Sequence, residues 1–199
     1  MTAQDFDKTL GQVAACDHCA AHLPLGPRPV VRMEATARLM IIGQAPGTKV
    51  HETGIPWNDP SGDRLREWLQ LDREVFYDAS KIAIMPMGFC YPGRNPKGGD
   101  NPPRPECAPL WHEALRAFLP EIRLTLLVGS YAQKYYLGKD MGRTMTDTVR
   151  DFRRYREMGF LTLPHPSWRT TAWLKKNPWF AEAVLPVLRA DVKTLLDMN

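Results

Sequence analysis

Four short, mostly apolar runs punctuate the chain: Leu39–Ile42, Ile82–Met85, Leu124–Gly129 and Phe160–Leu163. None alternates apolar with polar, so each predicts a strand covered on both faces, as in a parallel sheet. Between them the spacing is helical. Leu65, Trp68 and Leu69 share one face after the turn Asp59-Pro60-Ser61-Gly62, and Leu110, Ala114, Ala117 and Phe118 form a stripe between Pro105 and Leu119. Ser130 is expected to cap a helix ending at Gly138, a short helix is expected over Phe6–Ala15, and a last one from about Trp179 to Leu196. Strands alternating with helices predict a three-layer α/β/α sandwich around a mostly parallel four-stranded sheet.

The first strand runs into Gly43-Gln44-Ala45-Pro46-Gly47. Gly43 and Gly47 permit close backbone approach and Pro46 fixes the loop between them. In open α/β sheets ligands bind beyond the carboxyl ends of strands, so this loop is the first candidate site. His165-Pro166-Ser167-Trp168-Arg169 follows the fourth strand and should reach the same sheet edge. An imidazole there suits stabilisation of developing charge or proton transfer, against the plainer role of a helix cap. Trp168, Trp173 and Trp179 among Arg169, Lys175 and Lys176 suit phosphate contact and base stacking, although Trp179 fits an inward-facing position better.

Composition narrows this picture. With 199 residues, 44% hydrophobic and 24% charged, one folded domain over residues 1–199 is the expectation and disorder is not expected. Lys and Arg exceed Asp and Glu by 26 to 22, a mild excess that permits a nucleic-acid partner without demanding one. The N-terminal residues lack a signal-like apolar core and no run is long enough for a membrane span, so a cytoplasmic monomer without membrane contact is expected.

All four cysteines fall in two pairs, Cys16-x-x-Cys19 and Cys90 with Cys107, the second pair bracketing the long Gly- and Pro-rich loop from Gly88 to Pro105. Thiolates suit iron–sulfur clusters or tetrahedral zinc, whereas free cysteines are often buried as small hydrophobes. Spacing alone does not separate cluster from zinc.

Taken in order, these motifs resemble the uracil-DNA glycosylase superfamily, and most closely its iron–sulfur-containing family 4. Cys16-Asp17-His18-Cys19 looks like the first ligand pair, Gly43–Gly47 like motif A, and Gly54-Ile55-Pro56-Trp57 like the Gly-x-Pro-Phe that follows it. Cys90 through Cys107 resembles the loop with the remaining ligands, Leu127–Ala132 the strand-to-helix signature, and His165-Pro166-Ser167 motif B. The resemblance implies a protein that flips a damaged base out of DNA and hydrolyses its N-glycosidic bond. It implies a [4Fe–4S] cluster on Cys16, Cys19, Cys90 and Cys107, with structural zinc as the alternative. Trp57 takes the place of the ring that stacks on the base, and His165 that of the donor to the uracil O2. The loop carrying Ser167, Trp168 and Arg169 takes the place of the wedge that fills the hole in the helix.

Two positions depart from the family pattern. Gln44 stands where motif A has a glutamate, and an amide cannot activate water as a carboxylate does. His51 or Glu52 is expected to replace it if the loop folds back. Pro86 stands where the family has its uracil-reading asparagine, which puts the identity of the base in question. The expected function is a monofunctional DNA glycosylase acting on uracil or another deaminated base in single- or double-stranded DNA. The alternative is a non-catalytic DNA- or nucleotide-binding protein on the same scaffold. The expected site comprises His165, Gln44, Glu52 and His51 as catalytic groups, with Gly43, Ala45, Pro46, Gly47, Trp57, Pro86, Ser167, Trp168 and Arg169 around the substrate.

Overall fold

The computed structural model describes residues 2–197. Its four strands, β1 (Leu39–Ile42), β2 (Ile82–Ile84), β3 (Leu124–Val128) and β4 (Phe160–Leu163), form one parallel sheet in the order β2-β1-β3-β4. Alternate strand residues enter different cores, which is why the runs are apolar throughout. Leu39, Ile41, Ile84, Leu126 and Leu163 pack against α3 (Pro60–Leu69), α4 (Arg73–Phe76) and α10 (Leu185–Asp197). Met40, Ile42, Ala83 and Leu127 pack on the other side, against α1 (Ala3–Ala14), α5 (Cys107–Arg116) and α6 (Ser130–Leu137). The three-layer arrangement is therefore as the apolar pattern predicts.

Several short helices carry too few turns to show a period in sequence. These are α2 (Thr48–Thr53), α7 (Met145–Arg150), α8 (Phe152–Glu157) and α9 (Thr170–Lys176). The turn expected at Asp59-Pro60-Ser61-Gly62 is the start of α3: Asp59 is the N-cap, its carboxylate accepts the Gly62 N–H at 2.8 Å, and Pro60 opens the helix. Conversely, Ser130 does not cap α6. Gly129 occupies that position with φ 89°, and a Cβ there would come within 3.3 Å of His165 Cβ.

The Pro-rich passage before β1 runs along the outer edge of β2, where Arg32 and Ile84 exchange backbone hydrogen bonds of 2.9 and 2.6 Å. An otherwise open sheet edge is covered in this way. Within the long loop, Gly93–Asn101 closes on itself as a tight hairpin. The Asn101 N–H donates to Gly93 and the Asn95 N–H to Gly99, each at 2.8 Å, with Arg94 and Asp100 paired across it. No helix among the described residues is long and apolar enough to cross a membrane.

Candidate functional site

The strand order reverses direction between β1 and β3, and a cavity of about 340 Å³ opens at the carboxyl ends of the strands around that point. Its walls contain Gly43, Gln44, Ala45, Pro46 and Gly47 from the loop after β1, Trp57 and Asp59 before α3, and Pro86 after β2. Asp100 from the hairpin and His165, Ser167, Trp168 and Arg169 after β4 complete them. The loop after β1 is held by continued ladder bonds, with the Met87 N–H donating to Gly43 at 2.9 Å and the Gly88 N–H to Gln44 at 3.0 Å.

Trp57 forms a rigid wall. Its backbone is left-handed, with φ 57°, a conformation that a bulky residue adopts only when its surroundings enforce it. Gly62 supplies the room, since any Cβ there would collide with the Trp57 carbonyl, and Arg66 donates to that carbonyl at 3.3 Å. The indole lies over Gly43, where a Cβ would meet its Cζ2 at 2.5 Å, and the His165 ring is 5.6 Å away between centroids. Gly43 thus lets the aromatic plate reach the strand end.

His165 is fixed through its backbone. Its carbonyl accepts the Ser167 N–H at 2.8 Å and the Thr170 hydroxyl, while Arg64 of α3 donates to the Ser167 carbonyl at 2.7 Å. Burial lowers the imidazole pKa, with the Asp59 carboxylate pulling the other way, so the ring is neutral at neutral pH and retains one N–H donor. Beneath the cavity, the buried His112 of α5 bonds to the Pro86 carbonyl through Nε2 at 3.0 Å and to the Tyr136 hydroxyl through Nδ1 at 2.7 Å. A carbonyl only accepts, so Nε2 carries the proton and Nδ1 accepts from tyrosine. Trp168 is 77% exposed at the cavity mouth, with the Arg169 guanidinium 5.4 Å from its ring centre. Lys175 and Lys176 are exposed on α9 and do not line the cavity.

Two expected residues lie elsewhere. The chain enters α2 directly after Gly47 instead of folding back, so His51 turns inward, with its ring 6.0 Å from Tyr91, and Glu52 stays exposed. Neither lines the cavity. The acidic groups that do are Asp59 and Asp100. For Asp59 the sequence carries an N-cap signal, Asp-Pro at a helix start. For Asp100 the only signal is the Gly98-Gly99 pair before it, which permits a tight return of the loop.

The cysteines require a correction. All four line one narrow, almost wholly apolar cavity, and Cys107 Sγ accepts the Phe89 N–H at 3.3 Å. Burial raises the pKa of Cys19, Cys90 and Cys107, the last to about 12, so these are neutral thiols. Among the described residues no group of three or more His, Cys, Asp or Glu side chains could hold a metal ion. The expectation of a [4Fe–4S] cluster, or of structural zinc, on Cys16, Cys19, Cys90 and Cys107 is overturned on that ground. In this geometry they are free cysteines lining the join between the N-terminal segment and the long loop.

The cavity therefore combines a glycine-lined strand end, a fixed aromatic plate from the connection between α2 and α3, and a neutral histidine just after β4. A family model described as the uracil DNA glycosylase superfamily matches residues 31–189, a span that contains every residue lining this cavity except Val30, and the chain belongs to that superfamily.

Proposed function

We propose that the protein is a monofunctional DNA glycosylase that receives a flipped, deaminated base in this cavity and hydrolyses its N-glycosidic bond. The observation that carries the reading is the indole of Trp57, locked by Gly62 and Arg66 in a strained backbone between Gly43 and His165. Strain of this kind persists where the surroundings over-determine it, commonly at a functional site. A flat plate suits one face of a nucleobase, and a neutral imidazole at its edge is a donor to a base carbonyl on which negative charge grows as the bond lengthens. A cavity of about 340 Å³ falls at the small end of ligand pockets, which run from about 300 to 1,000 Å³. Exposed Trp168 beside Arg169 suits contact with the vacated stack and a flanking phosphate.

Within the superfamily, motif order puts the chain nearest family 4, with Gln44 and Pro86 as departures and without that branch's cluster. Pro86 has no side-chain donor or acceptor, and its carbonyl is engaged by His112, so base selection falls to backbone groups, Gln44 and His165. The test is a base-release assay on single- and double-stranded oligonucleotides carrying uracil, hypoxanthine, xanthine or oxidised pyrimidines. Release of uracil or another deaminated base is expected. Tight binding with no base released from any of them would leave the non-catalytic alternative.

A further inference from the structure

We infer that Asp100 is the carboxylate that faces the sugar of the bound nucleotide and accepts the proton of the attacking water. This rests on the glycosylase reading above. The loop after β1 has Gln44 at the motif carboxylate position, so an acid has to come from another part of the chain.

The two candidates in the cavity wall are bonded differently. Asp59 is occupied as the N-cap of α3, where its Oδ1 accepts the Gly62 N–H and thereby helps hold the glycine beneath Trp57. Asp100 makes no side-chain hydrogen bond among the described residues, and its Oδ2 lies 3.3 Å from where a Gly47 Cβ would stand. The hairpin thus returns a free carboxylate to the loop that lacks one. Its position is built by backbone: Gly98 and Gly99 have φ of 95° and 80°, which side-chain-bearing residues rarely adopt. The Arg169 guanidinium covers both glycines, and a Cβ on Gly99 would lie 2.8 Å from Nη1. The wall that bears His165 and the hairpin that bears Asp100 are thereby tied together at the cavity rim.

The surroundings tune the group in a useful direction. Desolvation raises the Asp100 pKa, Asp59 adds to the rise, and Arg94 and Arg169 oppose it. A carboxylate with a raised pKa is a better proton acceptor. In the step it serves, the C1′–N bond breaks with its electron pair leaving on the base, where the His165 N–H bonds the growing charge. Water then forms the O–C1′ bond and gives its proton to Asp100. That proton passes by way of solvent to the departing base, so the products are the neutral base and a sugar hydroxyl.

The experiment compares the parent with Asp100→Asn, Asp100→Glu and Asp59→Asn, the last retaining a cap while losing the charge. Single-turnover excision is measured from uracil-containing oligonucleotides, or from whichever panel base the parent releases. Equilibrium binding is measured to duplexes carrying either a cationic pyrrolidine sugar analogue or the neutral tetrahydrofuran abasic analogue. Asp100→Asn should slow excision by about 10²–10⁴-fold and remove the acidic limb of its pH–rate profile. It should also abolish preference for the cationic analogue and leave affinity for the neutral one unchanged. Asp100→Glu should restore part of the rate, and Asp59→Asn should lose much less than Asp100→Asn. If Asp100→Asn keeps both the parental rate and the preference for the cation, or if Asp59→Asn takes the larger loss, the assignment is overturned while an active parent upholds the glycosylase reading. A parent that releases no base yet prefers the cationic analogue only when Asp100 is present overturns the glycosylase reading and upholds the placement of Asp100 at the sugar.

Discussion

Two histidines serve the same cavity and differ in what their nitrogens have left to do. His112 is 2% exposed beneath the floor, and both ring nitrogens are engaged, one by the Pro86 carbonyl and the other by the Tyr136 hydroxyl. His165 lines the wall and is held by backbone bonds to its own carbonyl, leaving its ring for whatever enters. Burial lowers both pKa values, so a depressed pKa does not separate the structural imidazole from the one available for chemistry. The unspent hydrogen-bonding capacity of a side chain does. By the same criterion Asp59, with one oxygen taken up as a cap, differs from Asp100.

The sharpest way to break this comparison is His165→Ala. If the ring donates to the base mainly in the transition state, its loss should lower the single-turnover rate by about 10²–10³-fold. Affinity for tetrahydrofuran-containing DNA should change little, and so should Tm, because no hydrogen bond among the described residues depends on the ring. Rapid-quench kinetics with a thermal melt on the same preparation checks this. A variant as fast as the parent would put His165 in the class of His112.

His112→Phe should show the opposite profile. The substitution keeps a ring for the stack on Phe89, 5.6 Å between centroids, but leaves the Pro86 carbonyl and the Tyr136 hydroxyl without partners. Each buried orphan costs about 1–3 kcal/mol. Destabilisation of about 2–6 kcal/mol in a chain of this length corresponds to a Tm lower by roughly 4–24 °C. Excision should fall only as far as the floor at Pro86 shifts. Urea and thermal melts give the first quantity, and a rate measured well below the new Tm gives the second.

The same distinction explains what could be read from sequence. The strands were legible because a run such as Leu39–Ile42 has to be apolar on both sides when helices cover both faces of the sheet. His165 was legible because it follows such a run directly, and a residue just past a parallel strand is already at the binding edge. His112 was not, for nothing in a helix stripe announces that one polar member has found two buried partners. Glu52 was misplaced because a loop was assumed to continue past Gly47, whereas Thr48–Thr53 has turns enough to form a helix and too few to show a period. Asp100 depends on a hairpin closed by backbone bonds and by the side chains of Asn95 and Asn101, with Arg169 laid across it from 69 positions further along the chain. The clip expected of the cysteines is supplied there by hydrogen bonds and two glycines. Local pattern contains the periodicity of a face, and it does not contain the partner of a polar atom.

The smallest expected effect tests whether His112 stays neutral in the fold. Burial holds His112 at a pKa of about 4, against the ordinary 6.5. Arg116 on its own helix adds to the depression, the Pro86 carbonyl opposes it, and the rings of Tyr135 and Tyr136 face it from α6. Below pH 6.5 the unfolded chain takes up a proton that the folded ring refuses, so stability is complete above that pH and falls as pH drops from 6.5 towards 4. The slope approaches about 1.4 kcal/mol per pH unit within the window, and His165 contributes with the same sign. Asp100 acts in the opposite sense: its folded pKa is raised, so its contribution is present at low pH and lost as pH rises through the folded value. Urea melts at pH 7.5 and 5.5 should therefore show the parent losing about 1 kcal/mol more than His112→Phe, which lacks the titrating ring. Equal losses would mean that the His112 imidazole charges in the folded state, and Nδ1 could then no longer accept from Tyr136.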